Sequence, residues 1–336
     1  MMVRHGVDPV EAELERRRQA VDLAFDSYAA SFVERYLKER WKQWQAGNAV
    51  LANHAIPVLR NKALPKIGRG DLNPIWDGLR DRPAVARLTF ATLRKLFRWA
   101  VSRGDLERSP LEGVEAPPAI PPRDRVLSDR ELAVICEAST GIGEPFASFY
   151  QILLLTGQRR EEVASMQWDE LEQDTATWML PGSRTKNAQP HLVPLSQQVL
   201  HNLDHLAGGL NWPRSGLVFS TNGKTAISGF SKAKRRLDEA VKALAGGGES
   251  HAQPWRVHDL RRTVATGLQR LGVRFEVTEA VLNHVSGSRS GVAGVYQRHD
   301  WKAEKRAALD AWGAHGESLG TIASDVNIVR FTPRNA

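Results

Sequence analysis

Residues 175–195 read TATWMLPGSRTKNAQPHLVPL. Two short runs rich in β-formers, TATWMLP and HLVPLS, flank the basic, turn-rich GSRTKNAQP, which predicts a β-hairpin or small sheet with Lys186 near its tip. GLVFS, at 216–220, has the same composition and is expected to be a further strand. The rest of the patterned sequence is helical. Upstream, FASFYQILLLTG carries apolar residues at helical spacing and stops at Gly157; downstream, SQQVLHNLDHLA, FSKAKRRLDEAVKALAG, HDLRRTVATGLQRLG and EVTEAVLNHV follow suit. The expected fold is therefore mainly α with a small β-sheet (α+β).

Working outward, EAPPAIPPRDR at 115–125 has four prolines in eleven residues, which forbid a regular helix and suggest an extended connector. Just after it, Ser128 and Glu131 form the Ser-x-x-Glu pattern of a capping box, so a second domain is expected to begin there. Before it the pattern is helical throughout. Asp8-Pro9 opens a long charged helical region, and PAVARLTFATLRKLFRWAVSRG starts on Pro83, stops at Gly104 and spaces Val85, Leu88, Leu93, Leu96, Phe97 and Val101 helically. Arg87, Arg94, Lys95 and Arg98 share that helix. The expected division is a helical lead-in at 1–22, a helical unit at 23–114, the Pro-rich linker at 115–125, a mixed α/β unit at 126–312 and a tail at 313–336.

Forty-six Lys and Arg against 38 Asp and Glu give the 336 residues a net charge of +8. That balance favours a polyanion, with nucleic acid the first candidate, although a basic soluble enzyme would share it. Cys136 is the single cysteine, which excludes an intramolecular disulfide and a cysteine-rich metal site and fits a reducing cytosol. The first residues hold no apolar signal core, and no segment approaches the roughly 18 apolar residues of a membrane helix. Neither secretion nor membrane insertion is indicated.

Four stretches carry groups suited to chemistry. In LLLTGQRREEV, Arg159 and Glu162 are three apart and could pair, as a surface salt bridge or as part of a site. Lys186 is a solvated hairpin tip or a site lysine. In HDLR, His258 and Arg261 lie three apart; a guanidinium fork beside an imidazole suits a phosphate, though the pattern also arises by chance. His284 in VLNHV precedes Tyr296 in GVAGVYQRH. No metal-ligand spacing of the H-E-x-x-H kind exists, and the glycine-rich GGLNWPRSG and AGGGES lack a G-K-[ST] ending, so no metal, nucleotide or other cofactor is expected.

Taken together, TGQRREEV, the Lys186 hairpin, HDLR, LNH and a following Tyr resemble, in order and spacing, the tyrosine recombinases, the phage-integrase family of DNA strand-exchange enzymes. The resemblance covers roughly 126–312, which it makes the catalytic domain; 23–114 becomes a core DNA-binding domain. It implies that Arg159 and Arg261 are the catalytic arginines, Glu162 an acidic support, Lys186 the hairpin lysine and His258 the His of HxxR. It makes His284 the His of the Leu-Gly-His element and Tyr296 the nucleophile. Arg184 is an alternative to Lys186 if the turn is shifted. Asn283 stands where the family often has Gly, and the twelve residues from His284 to Tyr296 are similar to prophage-type integrases. The opening GVDPVEAELERRR resembles the stretch after the small arm-site-binding domain of such integrases, so that domain is expected to be naturally lacking or removed by truncation.

The implied reaction is integration or excision of a prophage or genomic island through a 3′-phosphotyrosine, with Arg159 and Arg261 at the phosphate oxygens and His258 as base. Lys186 would protonate the leaving 5′-oxygen and His284 would bond a phosphate oxygen. The implied partners are duplex DNA at attachment-type sites and three further copies in a tetramer on two duplexes, with a monomer possible without DNA. DNA-bending or directionality proteins are possible partners; a membrane is not. The implied location is the bacterial cytoplasm, at the nucleoid. Type IB topoisomerase-like religation and a cleavage-deficient DNA-binding protein remain alternatives. Arg87, Arg94, Lys95, Arg98, Arg184, Lys232, Lys234, Arg235 and Arg236 are candidate DNA contacts, each equally readable as a solvated face. The helical KAEKRAALDAWGAH, within Trp301–Ala336, is a candidate for docking on a neighbour.

Overall fold

In the computed structural model the described residues are 23–245, 253–284 and 299–325, and they fall into two compact units that divide between Pro122 and Arg123. The lead-in at 1–22 lies outside them. In the first unit, helix α1 (Phe25–Phe32) continues through a π-helical turn at Val33–Leu37, and α2 (Trp44–Val50) through another at Leu51–Ala55. Helices α3 (Arg69–Asp77) and α4 (Pro83–Ser102) complete this unit's core. Pro83 opens α4 because a first-turn residue needs no N–H donor. The buried face of α4 is Ala86, Thr89, Phe90, Thr92, Leu93, Leu96, Phe97 and Ala100.

That stripe is rotated from the expected one: Val85 and Leu88 are only partly buried and Val101 is exposed. The threonines explain it. Thr89 and Thr92 donate their hydroxyls to Val85 O and Leu88 O one turn back, at 2.9 and 2.8 Å, and so enter the core with their polar atoms satisfied. Arg87, Arg94 and Arg98 are left on the exposed face, whereas Lys95 lies over the Trp41 ring at 5.4 Å.

The second unit starts with α5 (Asp129–Thr140), and the capping box is present: Ser128 N donates to Glu131 Oε2 at 2.9 Å and Glu131 N to Ser128 Oγ at 3.3 Å. Helix α6 (Phe146–Thr156) is buried along most of its length, as an almost wholly apolar helix must be. It ends at Gly157, and α7 (Arg160–Ala164) follows. A three-stranded antiparallel sheet comes next, in the order β1 (Leu171–Glu172), β2 (Thr177–Leu180), β3 (His191–Pro194). Trp178 pairs with Val193 and Leu180 with His191, which fixes the loop carrying Lys186 at one end.

The mainly α fold with a small sheet is as expected, but the third strand is not GLVFS. That segment contributes an isolated bridge, Gln167 to Leu217, while Leu171 and Glu172 pair with Trp178 and Thr177. Sequential neighbours joined by a four-residue turn need little chain to meet; Ala176, at φ 49°, makes that turn tight.

Helices α8 (Gln197–Ala207), α9 (Phe230–Leu244), α10 (Val257–Arg270), α11 (Phe275–Val281) and α12 (Lys302–Asp325) wrap α6 and the sheet. Helices α10 and α12 meet at Gly267, where a Cβ would collide with the Trp312 ring. Trp312, 2 % exposed, donates Nε1 to Leu154 O at 2.9 Å. On the same helix Lys305 Nζ donates to Leu192 O at 2.7 Å and Arg306 Nη2 to Thr175 O at 2.8 Å, which ties α12 to the sheet. The boundary expected at 312 therefore falls inside one helix, and beyond it Leu319 still reaches the core.

Candidate active site

Helix α11 ends at Val281; the carbonyls of Thr278, Glu279 and Ala280 accept from the main-chain N–H groups of Leu282, His284 and Asn283, which leaves those of Val281, Leu282 and Asn283 to other donors. They are taken up in succession by side chains from elsewhere. Val281 O accepts from Gln158 Nε2 at 2.9 Å and from His191 Nε2 at 3.1 Å. Leu282 O accepts from Arg261 Nη2, and Asn283 O from Arg159 Nη2 and Asn187 Nδ2, both at 3.4 Å. A helix C-terminus carries partial negative charge, so two guanidiniums gather there favourably.

Arg261, 4 % exposed, also donates Nη1 to Gly157 O at 2.8 Å and so clamps the end of α6 to the end of α11. Gly157 is required twice over: its φ is 63°, and a Cβ would meet Val264 Cγ1 at 2.9 Å. The Gly157 and Leu282 carbonyls accept from the Arg261 guanidinium, while the Glu162 and Glu279 carboxylates favour its charge through space. Burial, and then the Arg159 charge, lower its pKa to about 9, still cationic at neutral pH. Gln158 and Arg261 thereby hold the TGQR segment in place from both sides.

Arg159 precedes α7 rather than sharing a face of it. The Glu162 carboxylate takes both its main-chain N–H, at 3.2 Å, and its Nη1, at 2.9 Å. Glu162 is 4 % exposed, so the pair is not the surface salt bridge that the spacing alone allowed. Arg184 donates Nη2 to Glu162 O at 2.7 Å and to Ser165 Oγ at 2.9 Å and pairs with Glu170. Its guanidinium fastens the β2–β3 loop to α7, which leaves Lys186 as the exposed cation of that loop.

His258 is exposed on the first turn of α10. Partial desolvation, despite that exposure, and then the Arg261 and Arg262 guanidiniums lower its pKa, with Asp259 pulling the other way. Asp259 is fully buried and fixes this turn, accepting from Arg256 N at 2.8 Å, Arg123 Nε at 3.0 Å and Arg262 Nη1 at 2.7 Å. Burial opposes its ionisation, but those donors outweigh it and the carboxyl pKa is lowered. His284 follows Asn283, with Nδ1 2.9 Å from Glu279 Oε1.

The structure thus brings Arg159, Arg261, Glu162, His284 and the Lys186 loop together around the end of α11. Tyr296 lies outside the described residues. Gln158, His191, Asn187 and Asp259 were not singled out from sequence; Gln158 and Asp259 sit inside the TGQR and HDLR motifs, whereas a lone His in a strand gives no signal. Burial first, and then nearby Lys305, push His191 down to about 3, so it is neutral and donates through Nε2. Among the described residues no group of three His, Cys, Asp or Glu side chains is placed to hold a metal ion. None of the described helices is long and apolar enough to cross a membrane.

Of the candidate DNA contacts, Lys232, Arg235 and Arg236 are exposed, although Arg236 Nη2 donates to Ile142 O at 2.6 Å. Lys234 pairs with Asp238 and lies 3.7 Å over the Trp255 ring. Arg87 Nη1 donates to Pro117 O.

The phage integrase family model matches residues 125–300. Prophage integrase IntA of Escherichia coli (strain K12) is 29% identical over 162 residues, 47% of this chain and 36% of that protein. Prophage integrase IntZ of the same strain is 25% identical over 338 residues, 95% of this chain and 78% of that protein. The chain thus spans about a third of the first relative and over three quarters of the second. In fold it is similar to a lambda integrase tetramer bound to a Holliday junction, with a TM-score of 0.66 and 18% identity over 85% of this chain and 84% of that one. With a match over more than half its length and the motif residues gathered at one helix end, this chain belongs to the phage integrase family.

Proposed function

We propose that the chain is a site-specific DNA recombinase that cuts and rejoins strands through a 3′-phosphotyrosyl link to Tyr296. One observation carries the reading: Arg159, Arg261 and the Lys186 loop converge on the carbonyls of residues 282 and 283, beside His284. A scissile phosphate gains negative charge as it is attacked, and the two guanidiniums, fixed in advance, answer it as metal ions do elsewhere. Tyr296 Oη bonds to phosphorus while the bond from phosphorus to O5′ breaks. The tyrosine proton passes to His258, kept neutral by its lowered pKa, and Lys186 gives a proton to O5′. His284, whose Nδ1 faces the Glu279 carboxylate, donates from Nε2 to a non-bridging oxygen when its imidazole is protonated. The phosphotyrosyl ester keeps the bond's energy, so a 5′-hydroxyl from a second duplex reverses the step without nucleotide hydrolysis.

Duplex DNA, with attachment-type sites, is the proposed partner, and strand exchange would assemble four copies on two duplexes. A nicked cognate duplex tests the chemistry. A covalent protein–DNA adduct should form in EDTA and vanish in Tyr296→Phe; no adduct on a verified site would overturn the reading.

A further inference from the structure

Asn283 departs from the glycine expected before His284, and its conformation shows what the asparagine does. Its φ is 48°, in the left-handed region that Gly and Asn tolerate best, and it is 3 % exposed. Its carboxamide meets that of Asn187: Asn187 Nδ2 donates to Asn283 Oδ1 at 2.9 Å, with Asn283 Nδ2 3.4 Å from Asn187 Oδ1. Asn187 Oδ1 also accepts from Gln189 N at 3.2 Å. On the other side of Lys186, Thr185 is fully buried and donates Oγ1 to Gln189 O at 2.8 Å. Lys186 is therefore an exposed residue between two anchored neighbours.

We infer that the Asn187–Asn283 amide pair is a positioning latch that sets the Lys186 ammonium relative to the phosphate site. The inference rests on the proton-donating role proposed for Lys186. The same residue offers its carbonyl to Arg159 and its side chain to the Lys186 loop, so one short segment fixes both the group that binds the phosphate and the group that protonates the leaving oxygen. A glycine at 283 keeps the backbone, the bond to Arg159 and the longer contact from Asn187 Nδ2 to the main-chain oxygen at 3.4 Å, but loses the 2.9 Å side-chain bond that makes the amide pair.

The test is single-turnover adduct formation on nicked cognate DNA with either oxygen or sulfur at the bridging 5′ position. When the phosphorus–sulfur bond breaks, sulfur departs as a thiolate and needs no proton. Asn283→Gly should slow cleavage of the oxygen substrate about 10- to 100-fold, leave DNA affinity unchanged, and cleave the sulfur substrate at the wild-type rate. Asn187→Ala, on an exposed loop, should do the same, with no further loss in the double variant. A wild-type rate for Asn283→Gly on the oxygen substrate, or equal slowing on both substrates, overturns the latch. Lys186→Ala separates the two readings: if sulfur fails to restore it, the proton-donor role falls and the latch with it. If sulfur restores Lys186→Ala but neither asparagine variant, only the latch falls.

Discussion

Two regions of the site are built on opposite principles. Arg261, Gln158 and His191 form a buried floor in which every contact noted above is to a main-chain carbonyl, over sequence separations as long as 123 residues. Lys186 and His258 form an exposed rim. The division follows from the chemistry proposed. Charge that stabilises a transition state works best when it is fixed beforehand and cannot relax, whereas a group that exchanges a proton with substrate must reach it. Stability and catalysis should therefore be coupled in the floor and separable in the rim.

Arg261→Ala gives the largest expected effect because it strikes both. It removes one of the two proposed phosphate donors and takes a donor from the Gly157 and Leu282 carbonyls. Adduct formation should fall by about 100- to 1,000-fold, and urea unfolding should show a loss of about 2–4 kcal/mol. Lys186→Ala should cost about as much rate, roughly 100-fold or more, with the unfolding midpoint unmoved. A destabilised Lys186→Ala, or an Arg261→Ala as stable as the wild type, would erase the distinction between floor and rim.

Acid should separate the regions too. The His191 pKa falls from the ordinary 6.5 to about 3 in the folded chain, because burial and Lys305 disfavour the cation. Below 6.5 the unfolded chain binds a proton that the folded one refuses, so stability is full above that pH and is lost as pH drops towards 3. By pH 5 the loss from this residue is about 2 kcal/mol. His191→Gln should flatten that slope in unfolding measured from pH 7 to 5; an unchanged slope would remove His191 from the floor. The rim responds in rate instead. With its pKa lowered, His258 is neutral at pH 7, and cleavage should decline only as pH falls below the usual histidine value.

The rim and the guanidiniums were legible in the sequence because they sit in short motifs: TGQR, the hairpin lysine, HDLR and LNH each announce a cation or an imidazole by local spacing. The floor's inward contacts were not. Gln158 to Val281 and His191 to Val281 are bonds between residues 123 and 90 positions apart, and no local periodicity encodes them. Regular apolar spacing marks the helices, and Leu93, Leu96 and Phe97 of α4 are buried as that spacing implies, but Thr89 and Thr92 beside them count as polar until their back-bonds are seen. The composition of GLVFS suits a strand, but pairing is decided by which neighbour can reach, and Leu171–Glu172 can.

The smallest effect concerns DNA affinity, and the contrast between engaged and free cations applies on α9 as well. Arg235 is exposed, whereas the neighbouring Lys234 already faces Asp238 and Trp255, and its side chain is 16 % exposed. Desolvation by its surroundings comes first among the influences that lower the Lys234 pKa. A cation neutralised within the protein displaces few counterions from a phosphate. If both helix positions lie against DNA, Arg235→Ala should lower the slope of log affinity against log salt by about 0.9, while Lys234→Ala should leave the slope nearly unchanged. Lys234→Ala should instead weaken packing on Trp255, seen as a small drop in the unfolding midpoint. Equal slopes for the two variants would mean that the pairing seen on α9 opens when DNA binds.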